Sequence, residues 1–318
     1  MPKVVIVGSY AVGLVMTANS VPRPGETVLG DSFEETHGGK GSNQAVAASR
    51  LGADVSFIGR IGKDHYGRDA LELHKNEGVD VELLTETEEF STGAGFIIVD
   101  RKGENSIVVT PGANSALDEE FIDGARDKIS NADVVLTQLE IPLEAALYSG
   151  ELASNFGVTS ILNPAPAPES SIKPSKLSNF DLVTPNYTEA CALADLDPES
   201  NPDPEVILKI LADKGANSVI MTLGSEGAFL KSEDRQIKID APDVETVDTT
   251  GAGDVFNAAV AVALAEGKSL NSGEIIDFAC NAGALAVTKN NVIPSIPTRD
   301  ELEEFTSKSS RGDGNEEG

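Results

Sequence analysis

The chain has no tryptophan, two cysteines among 318 residues, and only 5% aromatic content. Two isolated thiols, Cys191 and Cys280, make neither a disulfide framework nor a thiolate zinc site, so a reducing compartment is expected. Positive charge is scarce too: 24 Lys and Arg stand against 52 Asp and Glu, a net charge of −28. A surface this acidic repels a phosphate backbone, which excludes nucleic acid as a partner. The acidic residues are spread along the chain, a pattern that fits a high-salt cytoplasm where screening removes most self-repulsion. The opening apolar run, Val4-Val-Ile-Val-Gly8, is too short for a signal-peptide core or a membrane span, so a cytoplasmic protein is expected. What is plentiful is core material: 40% of the residues are hydrophobic, enough for one large domain.

Strand-like and helix-like segments alternate. Residues 3–8 read as a buried strand, 55–59 as another, and 66–77 as a helix. From residue 118 the alternation is regular, through strands at 134–139, 158–162, 181–184 and 218–222 to helices at 254–266 and 272–288. This texture predicts an α/β fold: a mostly parallel central sheet with helices on both faces, and ligands at the carboxyl ends of the strands. Two stretches break the pattern. Residues 12–18 and 27–33 read as short strands, and 93–100 with 106–110 as a hairpin. Together they predict a small separate sheet that acts as a lid. The domain is expected to span residues 1–306, with lid strands from about 10–36 and 92–112. Residues 307–318 are expected to form a disordered acidic tail.

The chemistry concentrates in Val247-Asp-Thr-Thr-Gly-Ala-Gly-Asp-Val-Phe-Asn257. Gly251, Ala252 and Gly253 let an anion approach their backbone N–H groups, which are unpaired first-turn donors if a helix starts there. Asp254 then stands beside that anion, suited to orient a hydroxyl and take its proton during phosphoryl transfer. The alternative is a Gly-rich turn with an acidic helix start. A second glycine stretch, His37-Gly-Gly-Lys-Gly-Ser-Asn-Gln44, opens a helix expected over 45–51. It reads either as a capped loop or as a cradle for a polar substrate. Gly8-Ser-Tyr-Ala-Val-Gly13 lacks the middle glycine of a dinucleotide fingerprint, which disfavours a dehydrogenase.

Six stretches in this order carry a family resemblance: Gly38-Gly-Lys-Gly-Ser-Asn-Gln-Ala45, Gln138-Leu-Glu140, Asn163-Pro-Ala-Pro-Ala167, Thr184-Pro-Asn-Tyr-Thr-Glu189, Thr222-Leu-Gly-Ser-Glu-Gly227 and Asp248-Thr-Thr-Gly-Ala-Gly-Asp254. Over residues 3–305 the chain resembles the ribokinase-type (PfkB) carbohydrate kinase family. The resemblance implies a three-layer sandwich and an ATP- and Mg²⁺-dependent phosphotransferase acting on a hydroxymethyl group of a sugar, D-ribose first among them. It implies Asp254 as base and residues 251–253 as anion hole. Gly38, Gly39, Lys40, Gly41, Ser42, Asn43 and Glu140 would hold the sugar. Asn186, Thr222, Leu223, Gly224, Ser225, Glu226 and Gly227 would surround the nucleotide, with Cys280 and Asn281 at the adenine and Glu189 reaching Mg²⁺ through water. A monovalent cation, K⁺, would sit among Asp248, Thr250, Ala286, Lys289, Asn291 and Ser295. Asn186 with Glu189 also reads as a helix cap with a first-turn acid, and Cys280 as a small buried thiol. The lid could pair with a second copy's lid to form a homodimer.

One departure concerns the substrate. The family's first strand ends Gly-Ser-x-Asn-x-Asp, its Asp gripping two adjacent sugar hydroxyls; here Ala11 and Gly13 occupy those places. Either the substrate differs or another side chain substitutes, with Tyr10 as a candidate. The alternatives to a ribose kinase are a kinase of another sugar, a nucleoside or a sugar phosphate, or a non-catalytic sensor on the same fold.

Overall fold

The computed structural model describes residues 1–233 and 235–312. Thirteen strands occur among them. In chain order they are β1 (Lys3–Val7), β2 (Ala11–Ala18), β3 (Gly30–Gly38), β4 (Asp54–Gly62), β5 (Leu84–Thr87), β6 (Gly93–Val99) and β7 (Asn105–Thr110). The second half supplies β8 (Val134–Gln138), β9 (Thr159–Asn163), β10 (Leu182–Val183), β11 (Val219–Thr222), β12 (Ala228–Lys231) and β13 (Gln236–Ile239). Nine of them form one sheet in the order β13-β12-β11-β10-β9-β8-β1-β4-β5, parallel throughout except for the antiparallel β11-β12-β13 edge. Strand β1 is Lys-Val-Val-Ile-Val with four buried residues, the β-branched run expected of a strand covered on both faces.

That covering makes the three layers. Val4 and Ile6 join a core that includes the apolar faces of helices Lys40–Arg50, Ala252–Ala265 and Gly273–Ala286. Val5 and Val7 pack on the other side with Ala145, Ala146 and Leu152 of helix Leu143–Phe156. Strand β1 pairs with β4 on one side and β8 on the other, so the strand order switches direction there. A crevice at the carboxyl ends of β1 and β8 follows, and ligands bind at such points.

The other four strands form the small sheet, in the order β3-β2-β6-β7. Its strands are longer than expected at the functional end: β3 runs to Gly38 rather than stopping near 33, which delivers the second glycine stretch directly to the crevice. The helix after it starts at Lys40, not Ala45, so Lys40, Gly41, Ser42, Asn43 and Gln44 are helical residues. The chain also ends differently. Helix Arg299–Gly312 occupies the first part of the expected disordered tail, 307–312, with Leu302 inserted into the core. Residues 313–318, the rest of that expected tail, lie outside the described residues. No helix is long and apolar enough to cross a membrane among the described residues.

Candidate active site

Helix Ala252–Ala265 begins at the crevice and its N-cap, Gly251, has φ 82°. This left-handed conformation is costly for a residue with a Cβ, and a Cβ here would also lie 2.5 Å from Val292 Cγ1. The turn places Asp254 on the helix's first turn, as the sequence motif predicted; the Gly253 N–H has no backbone partner among the described residues, while the Ala252 N–H makes a long bond to the Thr249 carbonyl at 3.3 Å. Gly39 plays the matching part across the crevice. It has φ 89° at the N-cap of helix Lys40–Arg50, and a Cβ would meet the backbone of Tyr10 and Ala11 at 2.8 Å.

The two helices meet through side chains. Asp254 is 5% exposed, and its carboxylate accepts from Asn43 Nδ2 at 2.8 Å and from Gln44 Nε2 at 3.0 Å. Gln44 is itself pinned: Nε2 also donates to Asn163 Oδ1 at 3.1 Å, and Oε1 accepts from Gln138 Nε2 at 2.6 Å. Asn163 Nδ2 donates to the Thr184 carbonyl at 3.1 Å. The Thr184 hydroxyl donates to Asn257 Oδ1, whose amide donates to the Gly253 carbonyl at 2.8 Å. One buried network therefore joins five of the six sequence motifs and ends at both Asp254 and the anion turn. Gln44, Gln138, Asn163, Thr184 and Asn257 were not singled out as site residues. Their signal was present, since each is a polar residue within or beside a quoted motif at the end of a buried apolar segment.

Electrostatics reinforce the geometry. Burial pushes the Asp254 carboxyl above its ordinary value, opposed by the nearby Lys40 charge and by the hydrogen bonds from Asn43 and Gln44. Lys40 is disfavoured as a cation by burial, yet Asp254, Glu140 and Glu189 around it raise its pKa overall, so it stays charged. Glu140 Oε2 accepts from the Ser9 hydroxyl at 2.6 Å and from the Lys40 backbone N–H at 2.8 Å, which ties the ends of β1 and β8 to the glycine turn. Asn43 Oδ1 and Ser42 Oγ are buried without partners, polar atoms available to a ligand.

The expected nucleotide residues divide into two groups. Asn186 and Glu189 form a reciprocal capping box on helix Tyr187–Leu193, with Glu189 Oε2 accepting from the Asn186 N–H at 2.9 Å. Burial raises the Glu189 carboxyl despite that bond and the nearby Lys40. Asn186 bridges to Thr222, and residues 222–227 close a tight turn with the Leu223 N–H donating to the Gly227 carbonyl at 2.8 Å. A cavity of about 640 Å³ is lined by Asn186, Thr222, Leu223, Gly224 and Glu226, together with residues 201–204, which the motifs did not flag. Asp254 is not among its lining residues. Ser225 and Gly227 belong to the same turn but not to the cavity wall. Cys280 is buried in the core, its thiol pushed up to about 12 chiefly by burial, and Asn281 donates to the Asp277 carbonyl. These two lie on the helix that packs against Ala252–Ala265.

Of the residues expected around a monovalent cation, Asp248, Thr250 and Asn291 are joined by hydrogen bonds. Asp248 accepts from the N–H groups of Thr250 at 2.9 Å and Asn291 at 3.3 Å, and the backbone N–H groups of Val247 and Asp248 both donate to the Val287 carbonyl. Burial raises the Asp248 carboxyl, but its bonds to Thr250 and Asn291 outweigh this and hold it below the usual value. Ala286 and Ser295 are buried beside this loop, while Lys289 Nζ pairs with Glu301 at 3.0 Å. Tyr10 is not available as a substitute sugar ligand. It is 1% exposed and its hydroxyl is hydrogen-bonded to His37 Nδ1 at 2.8 Å, on the lid face opposite Ala11 and Gly13.

Comparison with known proteins agrees with this geometry. The pfkB family carbohydrate kinase profile matches residues 1–299. A ribokinase of Haemophilus influenzae is 38% identical over 300 residues, covering 94% of this chain and 97% of that one. A ribokinase of Bacillus subtilis is 38% identical over 307 residues, covering 96% and 100%. Among solved structures, Arabidopsis thaliana ribokinase complexed with ribose and ATP superposes with a TM-score of 0.89 at 32% identity, covering 96% of this chain and 98% of that one. With an acid beside a helix-tip anion turn and a matching profile over nearly its whole length, the chain belongs to the pfkB family of carbohydrate kinases.

Proposed function

We propose that this carbohydrate kinase transfers the γ-phosphoryl group of ATP to the terminal hydroxymethyl group of D-ribose or a closely related sugar. The observation that carries the reading is Asp254: a buried carboxylate on the first turn of a Gly-capped helix, held by amides from the facing helix. The acceptor hydroxyl donates its proton to Asp254 as its oxygen bonds to the γ-phosphorus. The bond from that phosphorus to the β–γ bridging oxygen breaks, and ADP leaves. Charge on the transferring group falls on the N–H groups of residues 251–253, on the helix dipole and on Lys40. The raised Asp254 pKa makes it a better proton acceptor than an ordinary exposed carboxylate.

Magnesium fits here in one way. No group of three ligating side chains occurs among the described residues, and Glu189 offers one carboxylate near Lys40 and Asp254. Such a site suits an ion carried by the nucleotide phosphates and held through water; bound there, it would neutralise phosphate charge. For K⁺, Asp248 supplies the charged ligand and the loop over 286–295 the oxygen-rich surroundings. The lid's exposed Phe33, Phe96 and Val108 support a homodimer through that sheet, and the charge of −28 supports a high-salt cytoplasm. The test is a coupled ADP-release screen over pentoses, hexoses, polyols, nucleosides and sugar phosphates in high KCl. Sugar-dependent release is expected; nucleotide binding with no release for any acceptor would leave a non-catalytic sensor.

A further inference from the structure

The lid strands determine what touches the far end of the acceptor. Strands β3, β2 and β6 bring Thr36, Gly13 and Gly95 side by side, Gly13 pairing with Thr36 on one side and Gly95 on the other. Side chains at 11, 13, 34 and 36 share one face of this sheet, because positions alternate along each strand. That face is turned to the crevice: Glu34 accepts from Asn291 Nδ2 at 3.3 Å, in the loop that also donates to Asp248. Ala11 adjoins it at the Gly39 turn. At Gly13 a Cβ would stand 2.4 Å from Thr36 Oγ1, so the Thr36 hydroxyl already fills the place a side chain at 13 would need. That hydroxyl donates weakly to the Gly13 carbonyl, at 3.4 Å. A Cβ at Gly95 would meet nothing within 4 Å, so the patch has open space above it. The acceptor site is therefore unequal at its two ends. Near Asp254 it has Lys40, Glu140 and the unpartnered Asn43 Oδ1; at the lid it has a methyl group, backbone and one neutral hydroxyl, with Glu34 two residues farther along β3 and engaged by Asn291.

We propose that Thr36 is the specificity-determining residue of the lid end, and that the site takes both a pentose and its singly deoxygenated counterpart, discriminating between them by less than about 10². This rests on the sugar-kinase reading above. A site built around polar groups for a substrate hydroxyl rejects the analogue lacking it by about 10⁴–10⁵, because those groups are left unpaired, whereas a site without them discriminates by about 10² at most. Thr36 keeps its contact with Gly13 whether or not a sugar hydroxyl reaches it, so nothing is stranded when the hydroxyl is missing.

The experiment compares kcat/KM for D-ribose and 2-deoxy-D-ribose in the full chain and three variants: Thr36→Val, Gly13→Asp, and Gly13→Asp with Thr36→Ala. The wild-type ratio is expected below about 10². Thr36→Val keeps the side-chain shape and is expected to move the ratio further toward unity. Gly13→Asp alone is expected to lose activity through its clash with Thr36. Adding Thr36→Ala is expected to restore activity and raise the ribose preference at least about ten-fold, mostly through KM, a non-additive pair in contact. A wild-type ratio above about 10², or a double variant no more selective than wild type, overturns the proposal while leaving the kinase reading intact. If no sugar supports ADP release, the kinase reading itself fails.

Discussion

Replacing Asp254 by asparagine and by alanine separates its chemistry from its place in the amide network. Asparagine keeps the shape and removes the charge. Its Oδ1 can accept from Gln44 Nε2, which is fixed by Gln138 and Asn163. Its new N–H group would face the Asn43 amide, and Asn43 can turn over, because its Oδ1 has no other partner. Asp254→Asn therefore leaves the network whole, whereas Asp254→Ala strands the donors of Asn43 and Gln44. Leaving buried donors unpaired costs about 1–3 kcal/mol, so the alanine variant should unfold a few degrees below the asparagine variant. Both should bind ATP and lose turnover by about 10²–10⁴ through loss of the base. The pH dependence has a definite sign. Burial raises the Asp254 carboxyl above 3.8 in the fold, so its contribution to stability is full below that value and is lost as pH rises through the folded pKa. The asparagine variant should gain on wild type between about pH 4 and neutrality. Thermal melts across that range and steady-state kinetics with ATP titration measure all three quantities. Near-normal turnover in Asp254→Asn, or equal stability of the two variants, would refute the reasoning.

Gln44→Leu removes the centre of the network; it should cost about 2–5 kcal/mol and lower kcat more than ATP affinity, checked by denaturation and calorimetry. Gly253→Ala has open space for its Cβ and should raise the melting temperature slightly, as Ala does in helices, while slowing turnover at the anion turn; unchanged turnover would count against that turn. His74 is fully buried and burial depresses its ring to about 4 from 6.5. Its lowered pKa means stability is full above pH 6.5 and falls toward pH 4, by on the order of 3 kcal/mol; in His74→Phe the acid limb of a pH–stability curve should flatten. Asp248→Asn should lose any rate difference between K⁺ and a large organic cation at equal ionic strength, and an undiminished difference would remove Asp248 from the cation site.

The order of elements was legible because β1, β4, β8 and β9 are rich in apolar residues and end in, or run directly into, glycine or amide residues, which marks strand ends and the crevice above them. The start of helix Lys40–Arg50 was not, because Lys-Gly-Ser-Asn reads as loop by propensity; tertiary packing of Asn43 and Gln44 on Asp254 overrides it. The last helix, Arg299–Gly312, is polar enough at its end to read as tail; Leu302 and Phe305, which anchor it to the core, lie before that end. Asp254 and its anion turn were visible as a local motif. The network behind them was not, since Asn43 and Gln44 lie more than 200 residues from Asp254 in sequence, and no local pattern encodes that pairing. Tyr10 was misjudged for a simpler reason: it sits one residue from Ala11, so strand alternation sends it to the other face, against His37.

A crystal structure with a non-hydrolysable ATP analogue and a sugar addresses the central claim most directly. The terminal phosphate should lie within hydrogen-bonding distance of the backbone N–H groups of residues 251–253, with an acceptor hydroxyl on the Asp254 carboxylate. Phosphates seated away from that helix tip, or a sugar whose hydroxyls do not reach residue 254, would contradict it.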